Sequence, residues 1–112
     1  REKGATPILV SLTPRNEWPN GKIERRNGSY GKWYREIVAE TGVDFLDLHN
    51  ISADFLDKKF ASKSEEKSKK AASKYFKKDH THTSLIGARM NAQSIAKGLR
   101  AIHSKLADGL KK

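Results

Sequence analysis

The chain has 112 residues, 36% of them hydrophobic and 32% charged, and a net charge of +10, which describes one small polar domain and favours polyanionic partners. It has no cysteine, which excludes disulfides, thiolate nucleophiles and cysteine-ligated zinc. No uninterrupted apolar run exceeds three residues, Ile8-Leu9-Val10 being one, against the roughly 18 that a membrane span needs, so no membrane partner is expected.

In chain order, Thr6 to Leu12 is an apolar run closed by Thr13-Pro14 and reads as a buried strand. Ser29 then opens a helical pattern in which Tyr30, Trp33, Tyr34, Ile37 and Val38 share a face, with Gly42 placed as its C-terminal cap. That spacing points to core packing for Tyr30, Trp33 and Tyr34. Val43 to Leu48 reads as a second strand with His49-Asn50 at its outlet, where Asp47 and His49 suit a structural or substrate-lining role. A short amphipathic piece covers Ile51 to Phe60.

From Lys58 to Lys78 there are nine lysines against Glu65 and Glu66, a local charge of +7. A Lys/Ser/Glu/Ala stretch is more often a solvated helix or loop than a binding surface. The clearest helix comes last. It places Ala88, Ala92, Ile95, Ala96, Leu99, Ile102 and Leu106 on one face, with Thr83 or Ser84 as N-cap.

Strand, helix, strand and helix with glycine punctuation is the pattern of a parallel βαβ unit. Two strands and two long helices would leave one sheet face and both sheet edges bare, so the chain reads as half of a domain. Its first residue is Arg1 rather than Met, and the expectation is a chain that starts inside a larger protein.

The run Asp79-His80-Thr81-His82-Thr83-Ser84 precedes the last helix and should form a loop. Asp and His three apart can fold back so that the carboxylate holds one imidazole nitrogen and leaves the other as a general base. A metal pair of His80 and His82, with Asp79 as oxygen ligand, is a second reading of the same residues.

The segment DHTHTSLIGARMNAQSIAKGL resembles the last block of the SGNH, or GDSL-type, hydrolases. Asp-His-Thr-His-Thr-Ser followed by Gly87-Ala88 resembles the rhamnogalacturonan acetylesterases more narrowly. Pro7 to Pro14 and Tyr34 to Asp47 resemble strand and helix regions of that family, and the lysine-rich residues at about 61–74 look like an insertion. The resemblance implies a partial three-layer α/β/α, flavodoxin-like parallel sheet, the C-terminal half of an SGNH hydrolase domain. His82 would be the general base and Asp79 its orienting acid, with no metal and no cofactor.

The family's Gly-Asp-Ser block, which supplies the nucleophile, and its Gly-x-Asn-Asp block, which supplies oxyanion donors, have no counterpart here. Ser11, Ser29 and Ser52 lack the required context. The expected partners are therefore the N-terminal remainder of the domain and an acetylated acidic polysaccharide such as pectin or rhamnogalacturonan, handled in a secreted or periplasmic bacterial setting.

Arg15, Asn16 and Trp18 follow the first strand, where open α/β sheets gather ligands, and are candidate substrate-binding residues. An ordinary polar loop with Trp18 covering the sheet is the alternative. Competing functions are an esterase or lipase of the same superfamily acting on another ester, and a basic polyanion-binding module. Nucleic acid ranks below polysaccharide as a partner.

Overall fold

The computed structural model describes residues 2–110. Its regular elements are β1 (Ile8–Val10), α1 (Tyr30–Thr41), β2 (Asp44–Leu46), α2 (Leu48–Phe60), α3 (Glu65–Ala72) and α4 (Leu85–Ala101). Short 3-10 turns lie at Pro19–Gly21, Ser73–Tyr75 and Lys105–Gly109. β1 and β2 pair in parallel, Ile8 opposite Asp44, Leu9 opposite Phe45 and Val10 opposite Leu46, with α1 as the crossover. The chain is thus α/β.

Both strands are shorter than their apolar runs. Pro7 has no N–H to extend β1 backwards. At the other end the Ser11 hydroxyl donates to Asp47 Oδ1, and Asp47 leaves the ladder to cap α2 by accepting from Asn50 N–H. α1 follows the sequence pattern closely. It begins after Ser29 and stops at Gly42, whose φ of 63° is the left-handed conformation that glycine adopts without Cβ strain.

The hydrophobic core lies among the helices rather than on the sheet. Trp18 and Ile23 from the loop after β1 meet Ala53 and Leu56 of α2, Ala72 of α3, Tyr75, Phe76, and Met90 of α4. Two expectations are corrected here. No residue of α1 is buried, and Trp33 is 55% exposed, so Tyr30 and Trp33 do not pack in this core. Tyr34, half-buried, stacks on the Phe45 ring 5.8 Å away and is not a member of that core cluster. The face of α4 that packs consists of Gly87, Met90, Ser94 and Gly98, not the alanine and leucine face that periodicity selects. Small residues win because they let backbones approach: a Cβ on Gly98 would stand 2.5 Å from Leu46 Cγ.

Much apolar surface stays outside. Val10, Leu12, Trp33, Ile37, Leu85 and Ile86 are all exposed. The accessible area is 7946 Å², where a compact chain of this mass exposes about 6,200 Å². The radius of gyration is 15.3 Å, against about 13 Å for a compact fold of this length.

α3 was hidden from apolar periodicity. Its boundaries are instead set by polar chemistry: Ser64 Oγ accepts from Lys67 N–H, Glu65 and Glu66 occupy the positive end, and Lys69 and Lys70 the negative end.

Gly87 is where α4 meets the segment before it. A Cβ there would lie 1.9 Å from the Tyr75 carbonyl oxygen. Gly87→Ala should therefore lower stability by about 1–3 kcal/mol despite the better helix propensity of alanine, read as a lower urea midpoint at unchanged m-value.

Candidate active site

The Asp79–His82 loop is stapled at its neck. Phe76 and Thr83 form an antiparallel bridge, Lys77 N–H donates to His82 O at 2.8 Å, and Ser84 N–H to Tyr75 O at 3.0 Å. The Ser84 hydroxyl donates to Lys74 O at 2.6 Å and accepts from Gly87 N–H, so one side chain both closes the loop and caps α4. Tyr75 and Phe76, buried in the core, anchor the near side of the neck.

Within the loop, Asp79 organises everything. Its Oδ1 accepts from Thr81 N–H at 2.8 Å and His82 N–H at 2.7 Å, and its Oδ2 lies 2.7 Å from His82 Nδ1. The His82 backbone N–H, its imidazole and then the Thr81 N–H hold the Asp79 carboxyl well below the usual carboxylate range. An ionised Asp79 fixes the His82 tautomer with the proton on Nδ1, leaving Nε2 as a bare acceptor without a partner among the described residues. The His82 side chain is 71% exposed. Asp79 and His82 are thus brought together in the geometry that general base chemistry requires.

The two histidines of the loop are committed separately. His80 Nδ1 lies 2.9 Å from Thr81 Oγ1 and 3.6 Å from Glu17 Oε1. The His80 carbonyl accepts from Asn16 N–H at 2.7 Å, which pins the loop to the segment after β1.

That segment divides the other candidate residues. Trp18 is fully buried and its indole donates to Asn16 Oδ1 at 2.7 Å, while Asn16 Nδ2 donates to Lys69 O. Asn16 and Trp18 brace the loop with their polar atoms already used, so this arrangement gives no support to the ligand-facing role expected of them. Arg15 alone of the three is exposed.

A second polar network joins the strand outlets. His49 is buried; its Nδ1 lies 3.1 Å from Leu12 O and its Nε2 accepts from Arg26 N–H at 3.0 Å. That acceptor role requires a neutral ring with the proton on Nδ1. The His49 backbone N–H donates to Ser11 Oγ. Burial pushes the His49 imidazole below its ordinary value. Beside it, a cavity of about 90 Å³ opens at the carboxyl ends of the strands, lined in part by Ser11, Arg26, Tyr34, Asp47 and His49. Sequence reading singled out Asp47 and His49 but missed Ser11 as their hinge; the signal was a lone hydroxyl ending an apolar strand. Glu17, in the same loop as Arg15, Asn16 and Trp18, faces both His80 and Arg26.

No family model matches the chain. It is 31% identical over 115 residues to the probable rhamnogalacturonan acetylesterase YesY of Bacillus subtilis, covering 98% of this chain and 49% of that protein. It is 27% identical over 99 residues to a rhamnogalacturonan acetylesterase of Emericella nidulans, covering 88% and 37%. This chain is a relative of the rhamnogalacturonan acetylesterases. It spans about half the length, or less, of the acetylesterases it matches.

Two pH windows follow. The folded chain holds His49 neutral, so its contribution is complete above about pH 6.5 and is lost as pH falls through the lowered folded value. Asp79 contributes above about pH 3.9, and that contribution disappears only on strong acidification. His49→Ala should cost about 1–3 kcal/mol for each of the Leu12 O and Arg26 N–H groups it orphans, and should flatten the decline in stability below pH 6.5 in urea titrations. In carbon-13 NMR spectra of the unaltered chain, the Asp79 carboxyl resonance should show no protonation step at the ordinary carboxylate value of about pH 3.9.

Proposed function

We propose that this chain is the C-terminal half of a three-layer α/β/α SGNH-type esterase domain that removes O-acetyl groups from rhamnogalacturonan. It supplies the acid and base of a Ser-His-Asp site, and residues 61–74 are an insertion into it. The observation that carries the reading is the 2.7 Å contact between Asp79 Oδ2 and His82 Nδ1, with the His82 side chain exposed and its Nε2 without a partner among the described residues. Similarity to proteins named rhamnogalacturonan acetylesterases supports that substrate class.

The chemistry divides between the two halves. A serine hydroxyl from the N-terminal half gives its proton to His82 Nε2 as its oxygen attacks the acetyl carbonyl. Asp79 stabilises the imidazolium that forms, and His82 returns the proton to the departing sugar hydroxyl. Water, activated by the same nitrogen, then releases acetate from the acyl-enzyme. Oxyanion donors come from the other half as well. The surplus surface, the apolar residues left exposed around β1 and α1, and the bare sheet edges support a companion half that completes the sheet. A polymeric wall substrate fits a secreted or periplasmic setting.

The isolated chain should release no acetate from acetylated rhamnogalacturonan above the buffer rate. In a protein carrying both halves, His82→Ala should lower kcat by about 10⁴-fold or more, and Asp79→Asn by about 10⁴-fold through loss of the tautomer. Turnover by the isolated chain, or full activity in His82→Ala, would overturn the assignment.

A further inference from the structure

All nine lysines between Lys58 and Lys78 are exposed. Among the described residues, none of their ammonium groups pairs with a carboxylate. Lys67, Lys70 and Lys74 recur at three and four along α3 and the turn after it, which puts them on one face over roughly 10 Å. The opposite side is turned inward by Ser68 and Ala72, both buried. α3 therefore holds like charges side by side at a cost in self-repulsion, which a bound polyanion would relieve.

The basic face is joined to the candidate base by short backbone links. Lys69 O accepts from Asn16, whose N–H donates to His80 O. Lys74 O accepts from Ser84, Lys77 N–H donates to His82 O, and Lys78 directly precedes Asp79. A ligand lying along these lysines would run up to the exposed face of the Asp79–His82 loop.

We propose that the lysine face of α3, continued by Lys77 and Lys78, is a binding strip for polyuronate that delivers the acidic sugar backbone to the His82 loop. The delivery part rests on the esterase reading; binding of the polyanion does not. The stretch holds nine lysines and no arginine, point charges that attract carboxylate and phosphate alike. Its aromatic residues are what favour a carboxylated polysaccharide over nucleic acid. Tyr75 and Phe76 are buried and Phe60 packs against the core, so the stretch offers no exposed ring for base stacking.

The test titrates the 112-residue chain with fluorescent oligogalacturonate, with neutral galactan and with single-stranded DNA of matched charge number. The chain should bind oligogalacturonate and not galactan. The K67Q/K70Q/K74Q variant should bind roughly tenfold more weakly, with a log affinity against log salt slope shallower by about two. A control variant, K3Q/K32Q/K105Q, removes the same charge elsewhere and should bind as the unaltered chain does. Matching circular dichroism spectra establish that both variants fold. Equal weakening by the two sets, unchanged binding by the strip variant, or tighter binding to DNA would each overturn the proposal. The titration needs no nucleophile, so unchanged binding by the strip variant counts against the strip alone, whereas full activity of His82→Ala in a protein carrying both halves counts against the catalytic reading alone.

Discussion

The structure turns on one close approach, the Tyr75 carbonyl against the first turn of α4 at Gly87. With no side chain at Gly87, the backbone before the loop can lie directly on the helix that follows it. Ser84 then closes the neck from both directions, and Phe76 carries the attachment into the core. Every hydrogen bond that shapes the Asp79–His82 pair is made beyond that neck. Moving α4 outward by the width of a methyl group would loosen the cap, the bridge and the loop together.

How much of this was legible in the sequence depended on which force set each feature. α1 could be read because apolar spacing and a glycine cap agree, and β1 and β2 because their apolar runs are flanked by turn residues. α3 could not be read from hydrophobic spacing, since it packs through Ser68 and Ala72 and is otherwise charged. Its capping serine and the order of its acids and bases were the available signal. The packed face of α4 was misread for a related reason. The face that periodicity picked out is left largely outside the core, while Gly87, Ser94 and Gly98 pack closely by being small.

The candidate site was legible where its chemistry is local in sequence, as in the Asp79-to-His82 spacing. It was less so where side chains could face either way. Arg15, Asn16 and Trp18 form one polar-aromatic loop on paper, yet two of the three turn inward and hold the loop to α3. Only packing decides such a question: burying Trp18 removes a large apolar surface from water, and Asn16 follows because it satisfies the indole N–H.

The contact between Asp79 and His82 spans three residues, so ordering it closes only a very short loop, and the entropy of that closure hardly depends on the rest of the chain. The long-range bonds of the loop, Asn16 N–H to His80 O among them, then fix where the closed pair sits. The Asp79–His82 contact therefore adds little to the entropy of folding, while its orientation is inherited from the packing of α4 at Gly87.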